Sequence, residues 1–170
     1  MKGSAPLENV EDMVRAAQRG DPWAMDALMR ELSPSLGRVC ASISLQQAED
    51  ALQETLIAVL QNVGSLRNPG AVHGWARRIA VHESIRVARR AARSVPVADI
   101  EVPSMRDIEA ATDVRAVLES MTPEQRAILV LRDLEGLSEE AASVLLDAPI
   151  GTIKSRLHRA RSAFRKEWSA

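Results

Sequence analysis

Hydrophobic residues recur every three or four positions through most of the chain, a spacing that predicts α-helices rather than strands. The strongest pattern lies in segment 47–63, where one face is apolar and is expected to be buried. That face consists of Leu52, Leu56, Val59, Leu60 and Val63. Further helices in this half are predicted over 10–19, 22–32, 35–43 and 72–93. Trp23 is expected to point inward, and Ser33-Pro34 to separate two helices.

Capping residues mark the helix boundaries of the C-terminal half. Thr122 and Gln125 form a capping box around Pro123, and Ser138 has the chemistry of an N-cap. The helices predicted here cover 108–120, 123–135, 139–146 and 151–168. The inward residues of the last helix are expected to be Ile153, Leu157, Ala160, Phe164 and Trp168.

Segment 94–107 lacks helical periodicity, contains two prolines and is acidic. We interpret it as a flexible acidic linker. The chain is therefore expected to be all-α, with two small helical domains over 1–93 and 108–170. A length of 170 residues fits this arrangement.

Composition excludes several classes of site. A single cysteine, Cys40, cannot form an internal disulfide or a cysteine-based zinc site, and the three histidines are scattered. We therefore expect no metal and no cofactor. Neither a membrane-length apolar run nor a basic-then-apolar leader is present. The sequence predicts a soluble, cytoplasmic protein without membrane insertion.

The net charge of −1 conceals a strongly uneven distribution. Six arginines face one glutamate in segment 75–93, and six cations face one glutamate after 147. The intervening segment 94–147 has a balance of −8. Two basic segments on either side of an acidic one favour two contacts with one polyanion, although solvated helix faces remain an alternative.

Two helices of the N-terminal half carry polar faces that differ in character. In the helix predicted over 72–93, the spacing gathers cations on one side, which we call the basic face. It comprises Arg78, His82, Arg86, Arg89 and Arg93. In the helix predicted over 47–63, Ile57 lies exposed among Asp50, Gln53, Glu54 and Gln61. An exposed isoleucine ringed by polar groups indicates a protein-binding surface, with a merely solvated face as the alternative.

The segment 138–166 is a helix, a short turn and a second, basic helix. Lys154, Ser155, His158, Arg159 and Arg161 remain outward once the apolar stripe is buried. Arginine can donate two parallel hydrogen bonds to guanine, and serine can serve several bases. The arrangement predicts a helix-turn-helix whose last helix recognises DNA.

These segments resemble the extracytoplasmic-function group of bacterial sigma factors. Residues 137–138 and 149–161, the latter reading PIGTIKSRLHRAR, resemble region 4 of that family. Residues 48–56 (AEDALQETL) resemble the polymerase-docking helix of region 2, and 74–80 (GWARRIA) its promoter-melting helix. The opening segment 18–24 (QRGDPWA) is similar to the family's first turn.

The resemblance implies a sigma factor that binds RNA polymerase core and directs promoter-specific initiation. Docking on the clamp helices of the largest subunit would use Asp50, Gln53, Glu54 and Ile57. The minus-10 element would be bound and melted by Leu66, Arg67, Asn68, Trp75, Arg78, His82 and Arg86. The minus-35 element would be read by Arg132, Thr152, Lys154, Ser155, Arg156, His158, Arg159 and Arg161. The flap of the second-largest subunit and an anti-sigma factor are further implied partners.

The chain departs from the family pattern at several positions. Leu66 stands where an aromatic residue is common, and His82 where asparagine is common. Trp75 matches the first residue of a tryptophan pair, with burial in the core as its alternative role, and Ala76 replaces the second. Asp147 occupies a turn position where glycine is common. The main alternative is a helix-turn-helix regulator that does not join polymerase. An enzyme is disfavoured, since no nucleophile-base pair or phosphate-binding loop is recognisable.

Overall fold

The computed structural model describes residues 9–94 and 110–169. Within these ranges the chain is helical, and no strand occurs. The N-terminal unit consists of α1 (Val10–Gln18), α2 (Pro22–Ser44), α3 (Ala48–Asn62) and α4 (Val72–Ser94). The C-terminal unit consists of α5 (Ala110–Ser120), α6 (Pro123–Leu129), α7 (Glu139–Leu146) and α8 (Ile150–Trp168). The linker expected over 94–107 lies outside the described residues, except for the last residue of α4.

The capping predictions are confirmed. Asp21 accepts hydrogen bonds from the backbone N–H groups of Trp23 (2.9 Å) and Ala24 (3.2 Å), with Pro22 at the first helical position. Thr122 and Gln125 form the capping box of α6. These caps supply acceptors to N–H groups that have no partner inside their own helix, so local sequence alone locates the helix starts.

The break predicted at Ser33-Pro34 is wrong, because α2 continues through Pro34. The proline ring lies on the exposed side of the helix, so the backbone carbonyl that loses its donor faces solvent. Ser33 Oγ donates to the Met29 carbonyl (2.6 Å) and Ser35 Oγ to the Leu32 carbonyl (2.9 Å). Burial of one continuous apolar face, with Leu32 fully buried, then outweighs the missing bond.

The N-terminal unit buries the faces along which α2, α3 and α4 pack against one another. On α3 the fully buried residues are Ala51, Thr55 and Val59, so small side chains bring the neighbouring helices close. Thr55 Oγ1 donates to the Ala51 carbonyl (2.6 Å), which satisfies its hydroxyl. Because α3 turns Ala51, Thr55 and Val59 inward, Leu60 is half exposed, at 50%, and the prediction that Leu60 is buried is wrong.

Two tryptophans also lie elsewhere than predicted. Trp23 is 77% exposed, because α2 buries Ala24 and Leu28 instead. Trp168 is 49% exposed and stacks on Phe164, with ring centroids 5.9 Å apart. The buried stripe of α8 is formed by Ile153, Leu157 and Ala160 and fades towards the end of the helix.

The two units pack against each other through α4, α6, α7 and the end of α2. Arg126 of α6 is buried and donates to three backbone carbonyls: Leu118 (2.8 Å), Met121 (3.1 Å) and Ile43 (2.7 Å). The Ile43 carbonyl belongs to the last turn of α2, where carbonyls lack helical partners. One side chain therefore joins the units.

Candidate nucleic-acid and protein interfaces

The polar face of α3 is exposed as a continuous surface. Asp50, Gln53 and Ile57 are exposed, and Ile57 shows 42% of its surface. Leu60 follows Ile57 by three residues and therefore lies on the same side. The sequence pattern missed Leu60 as a surface residue because it fits the apolar stripe equally well. The result is an apolar centre with polar neighbours, the composition of a protein-binding surface.

Glu54 differs from the rest of this face because it turns towards α4. Its carboxylate accepts from Arg86 Nη2 (3.1 Å) and from Arg90 Nη1 (3.5 Å). Hydrogen bonding to Glu83, and secondarily to Glu54, raises the pKa of Arg86. The structure thus brings together a residue expected to contact a protein and one expected to contact DNA.

The loop between α3 and α4 is fixed from α1. Gln18 Nε2 donates to the carbonyls of Val63 (2.9 Å) and Leu66 (2.8 Å). Leu66 is half-buried against the core, whereas Arg67 and Asn68 are exposed. The Asn68 side chain accepts from the backbone N–H of Gly70 (3.1 Å). This anchoring by Gln18, which spacing along the chain could not reveal, presents the polar tip of the loop beside α4.

The basic face of α4 is exposed along its length. Arg78, His82, Arg86, Arg89 and Arg93 are all exposed, as their spacing predicts. Trp75 is half-buried at the edge of the core and lines a surface groove of about 500 Å³ together with Arg78, His82 and Asp147. The groove combines one aromatic surface with hydrogen-bonding groups, which suits an unstacked base.

Exposed side chains on α8 include most of those predicted to read DNA. Lys154, Ser155, His158, Arg159 and Arg161 are exposed, while Thr152 and Arg156 are half-buried. Arg159 Nε donates to the Ser155 carbonyl (3.3 Å), and Lys154 Nζ lies 3.4 Å from Glu139. Both cations remain on the outer side of the helix.

Two arginines of the C-terminal unit have surroundings that the sequence pattern did not predict. Arg161 makes two hydrogen bonds to Asp133, at 3.0 and 2.6 Å, and this bonding raises the pKa of Arg161. Arg132 is half-buried in the π-helical turn Val130–Leu134. Its Nε is buried and has no hydrogen-bond partner among the described residues. Neither guanidinium is a freely solvated cation.

The described residues give no sign of a metal centre or a membrane span. No group of three or more histidine, cysteine, aspartate or glutamate side chains among them is arranged to hold a metal ion. None of the helices in 9–94 and 110–169 is long and apolar enough to cross a bilayer.

Comparison with known proteins identifies both units. The family model for sigma-70 region 2 matches residues 28–94, and the model for sigma-70 region 4 matches 111–164. The ECF RNA polymerase sigma factor SigM of Mycobacterium tuberculosis is 32% identical over 157 residues, covering 89% of this chain and 80% of SigM. SigE of Mycolicibacterium smegmatis is 35% identical over 163 residues, covering 86% of this chain. The alignment spans 63% of the length of that SigE.

Solved structures share the fold. The sigma factor RpoE from Bartonella quintana, in complex with the anti-sigma factor NepR, superposes with a TM-score of 0.63 and 24% identity, covering 85% of this chain and 96% of that one. CnrH in complex with the cytosolic domain of CnrY gives a TM-score of 0.62 with 19% identity, covering 92% and 95%. At these identities the likeness concerns the arrangement of helices.

Proposed function

The chain belongs to the extracytoplasmic-function group of RNA polymerase sigma factors, and we propose that it binds polymerase core and directs promoter-specific initiation. The observation that carries the proposal is that three helices expose separate surfaces of different composition. α3 presents an apolar centre with polar neighbours, whereas α4 and α8 present basic faces. A protein that holds polymerase and two promoter elements together needs such separate surfaces.

The polymerase-docking surface in this proposal is the exposed side of α3. Asp50, Gln53 and Ile57 contact the clamp helices of the largest subunit, with Leu60 extending the apolar centre. Glu54 contributes through its bonds to α4, which hold that helix at a defined distance from the docking surface. The C-terminal unit contacts the flap of the second-largest subunit.

Minus-10 recognition and melting are assigned to the α3–α4 loop and α4. Leu66, Arg67 and Asn68 follow Ser65, which lines the groove that contains Trp75, Arg78 and His82. Arg86 lies one turn beyond His82 on the same side of α4. Opening DNA costs about 1.4 kcal/mol for each stacking step. An extruded base recovers part of this cost by stacking on Trp75, since Leu66 offers no flat surface. We therefore expect weak melting and a strong dependence on the downstream sequence.

Minus-35 recognition is assigned to α8 and the turn that precedes α7. Ser155, His158 and Arg159 face outward and contact base edges. Phosphate contacts come from the remaining members of the site, which are Arg132, Thr152, Lys154, Arg156 and Arg161. Arg161 must first leave Asp133, so its contribution is smaller than its charge suggests.

A purified transcription reaction tests the function. The protein is expected to direct core polymerase to specific start sites, which core alone does not use. The variant Gln53→Ala/Ile57→Ala/Leu60→Ala is expected to lose core binding while its circular dichroism is unchanged. Trp23→Ala, which truncates an even more exposed apolar side chain on α2, is the control and should bind normally. Equal core affinity for the two variants would reject the α3 surface.

A regulator that binds DNA without polymerase is not favoured, because the region 2 match over 28–94 would then have no role. We infer that the protein acts in the cytoplasm as an initiation factor rather than as an enzyme. We also propose that an anti-sigma factor restrains it. The domain limits 1–93 and 108–170, with the flexible linker 94–107 between them, remain predictions.

A further inference from the structure

Trp23 is the most exposed large hydrophobic side chain among the described residues, with 77% of its surface open to solvent. The chain has four aromatic residues, and Trp23 is one of two in the N-terminal unit. The other, Trp75, lines the groove on α4. A single exposed hydrophobic residue is common on protein surfaces, so the significance of Trp23 depends on how it is held and on what surrounds it.

The turn between α1 and α2 fixes the backbone of Trp23. Asp21 accepts hydrogen bonds from the backbone N–H groups of Trp23 and Ala24, and Pro22 restricts φ at the first position of the helix. The Ala16 carbonyl accepts from the backbone N–H of Asp21 (3.1 Å), so the start of α2 folds back onto the last turn of α1. A side chain on a fixed backbone loses less conformational entropy when it binds a partner.

The same turn lies beside the loop between α3 and α4. Gln18, in the last turn of α1, donates to the Leu66 carbonyl (2.8 Å). Near the other end of α1, a Cβ atom on Gly70 would lie 3.0 Å from the Glu11 carboxylate, so the loop approaches α1 closely there as well. α1 therefore runs along the loop from Gly70 to Leu66, and Trp23 follows the Leu66 end.

The α4 groove and the turn before Trp23 contact neighbouring residues of this loop. Ser65 lines the groove together with Trp75. Leu66, the next residue, is bonded to Gln18. A nucleic-acid strand with one base in the groove can therefore continue across the loop towards Trp23.

Unpaired positive charge flanks this route. Arg19 and Arg67 are exposed and have no carboxylate partner among the described residues, unlike several arginines of α4. The acidic residues nearest to Trp23 in sequence are already engaged, since Asp21 caps α2 and Asp26 pairs with Arg30 (2.8 Å). An aromatic surface beside unpaired cations is the combination by which proteins bind single-stranded nucleic acid.

We propose that Trp23 is a second stacking site, at which an unpaired base of the melted promoter strand lies on the indole while Arg19 and Arg67 bind adjoining phosphates. The inference rests on the proposed function, since it takes the α3–α4 loop and α4 as the surface for that strand. Trp23 supplies a flat surface that Leu66 lacks, and it extends the contact with the strand beyond the groove.

The test uses holoenzyme assembled from the full chain and core polymerase, on a fork template that is already single-stranded from the minus-10 element onward. Competition with unlabelled DNA, followed by anisotropy, gives the dissociation rate. Trp23→Ala is expected to dissociate at least about fivefold faster than the wild type, because stacking on a base is lost. Trp23→Phe keeps a flat ring and should stay close to the wild type, whereas Trp23→Leu keeps only apolar bulk and should resemble Trp23→Ala.

Abasic sites locate the stacked base. They are placed one at a time along the single strand of the fork. At one position, loss of the base is expected to speed dissociation of the wild type about as much as Trp23→Ala does, and the two changes together should add less than about twofold. Arg19→Ala should also speed dissociation. Its matched control is Arg38→Ala, which removes another exposed arginine about 22 Å further along α2 and should have no effect.

Three results would overturn the proposal. The first is Trp23→Ala dissociating like the wild type from every template, and the second is Trp23→Leu being as stable as Trp23→Phe. The third is an equal loss of core affinity without DNA, because Trp23 would then contact protein. Transcription by the wild type is scored separately. A wild type that neither transcribes nor binds the fork rejects the proposed function, whereas a wild type that does both, with Trp23→Ala unaffected, rejects the stacking site alone.

Discussion

Replacing Arg126 tests how strongly one buried side chain holds the two units in place. Arg126→Ala leaves the carbonyls of Ile43 and Met121 without the donor that Arg126 supplies. The Leu118 carbonyl loses one donor and keeps the backbone N–H of Met121 (3.3 Å). Each buried acceptor left unsatisfied costs about 1–3 kcal/mol. Water entering the vacated space recovers part of this cost, so we expect the free energy of unfolding to fall by about 3–4 kcal/mol.

The conservative variant separates geometry from charge. Burial lowers the pKa of Arg126, but a guanidinium remains charged at neutral pH. Arg126→Lys keeps the charge and loses the planar fork that reaches three carbonyls at once. We expect it to cost about 2 kcal/mol, between the wild type and Arg126→Ala.

Urea unfolding followed by far-ultraviolet circular dichroism measures these effects. Arg115→Ala is the control, because its pair with Glu119 (3.2 Å) is exposed and should contribute no more than about 0.5 kcal/mol. The reasoning fails if Arg126→Ala costs less than about 1 kcal/mol, or if it costs no more than Arg115→Ala.

Three further predictions concern caps and surface charge. Asp21→Ala removes the cap of α2 and should lower the free energy of unfolding by about 1 kcal/mol in the same urea assay; no change would contradict the capping role. Asp133→Asn releases Arg161, so the salt slope for binding minus-35 duplex should steepen by about 0.9 in anisotropy titrations; an unchanged slope would show that Arg161 does not reach phosphate. The Glu140 carboxylate accepts hydrogen bonds from its own backbone N–H and from Ser138, and these bonds lower its pKa. The charged carboxylate therefore stabilises the fold above the ordinary carboxyl pKa, and this stabilisation is lost as the pH falls through the lowered pKa. Glu140→Gln should therefore lower the melting temperature at neutral pH but not in acid, and a pH-independent difference would contradict this.

Local sequence predicted most of the helices and the starts that a cap marks, because a cap or an apolar stripe depends on residues within one or two turns. The Asp21 and Thr122 caps are of this kind. Pro34 shows the limit of local rules, since its cost depends on which side of α2 faces solvent. Leu60 shows the same limit, because the neighbours of α3, and not its own periodicity, decide which apolar residues are buried.

The contacts that define the candidate sites depend on residues far apart in sequence. Gln18 fixes the loop at Leu66, and Arg126 reaches Ile43. The sequence indicated which helices carry basic residues, but gave no indication that Arg78 faces Asp147. Such pairings require the relative placement of whole helices, which a one-dimensional pattern does not contain.

Several cations on the proposed DNA surfaces already have carboxylate partners. Arg78, Arg86 and Arg89 are paired on α4, as are Lys154 and Arg161 on α8. A paired arginine that moves to phosphate leaves its carboxylate unpaired near DNA, so the net electrostatic gain is small. Non-specific affinity, which arises from such contacts, is therefore reduced.

A contact between Arg159 and a base edge does not leave a carboxylate unpaired near DNA. Arg159 bonds to the Ser155 carbonyl and can turn to a base edge without exposing a carboxylate. Hydrogen bonds to bases therefore contribute a larger share of the total than in a protein with unpaired cations. Promoter selection depends on the ratio of specific to non-specific affinity. If α4 and α8 bind DNA as proposed, we expect the carboxylates to raise this ratio, because they weaken the electrostatic attraction that all DNA sequences share.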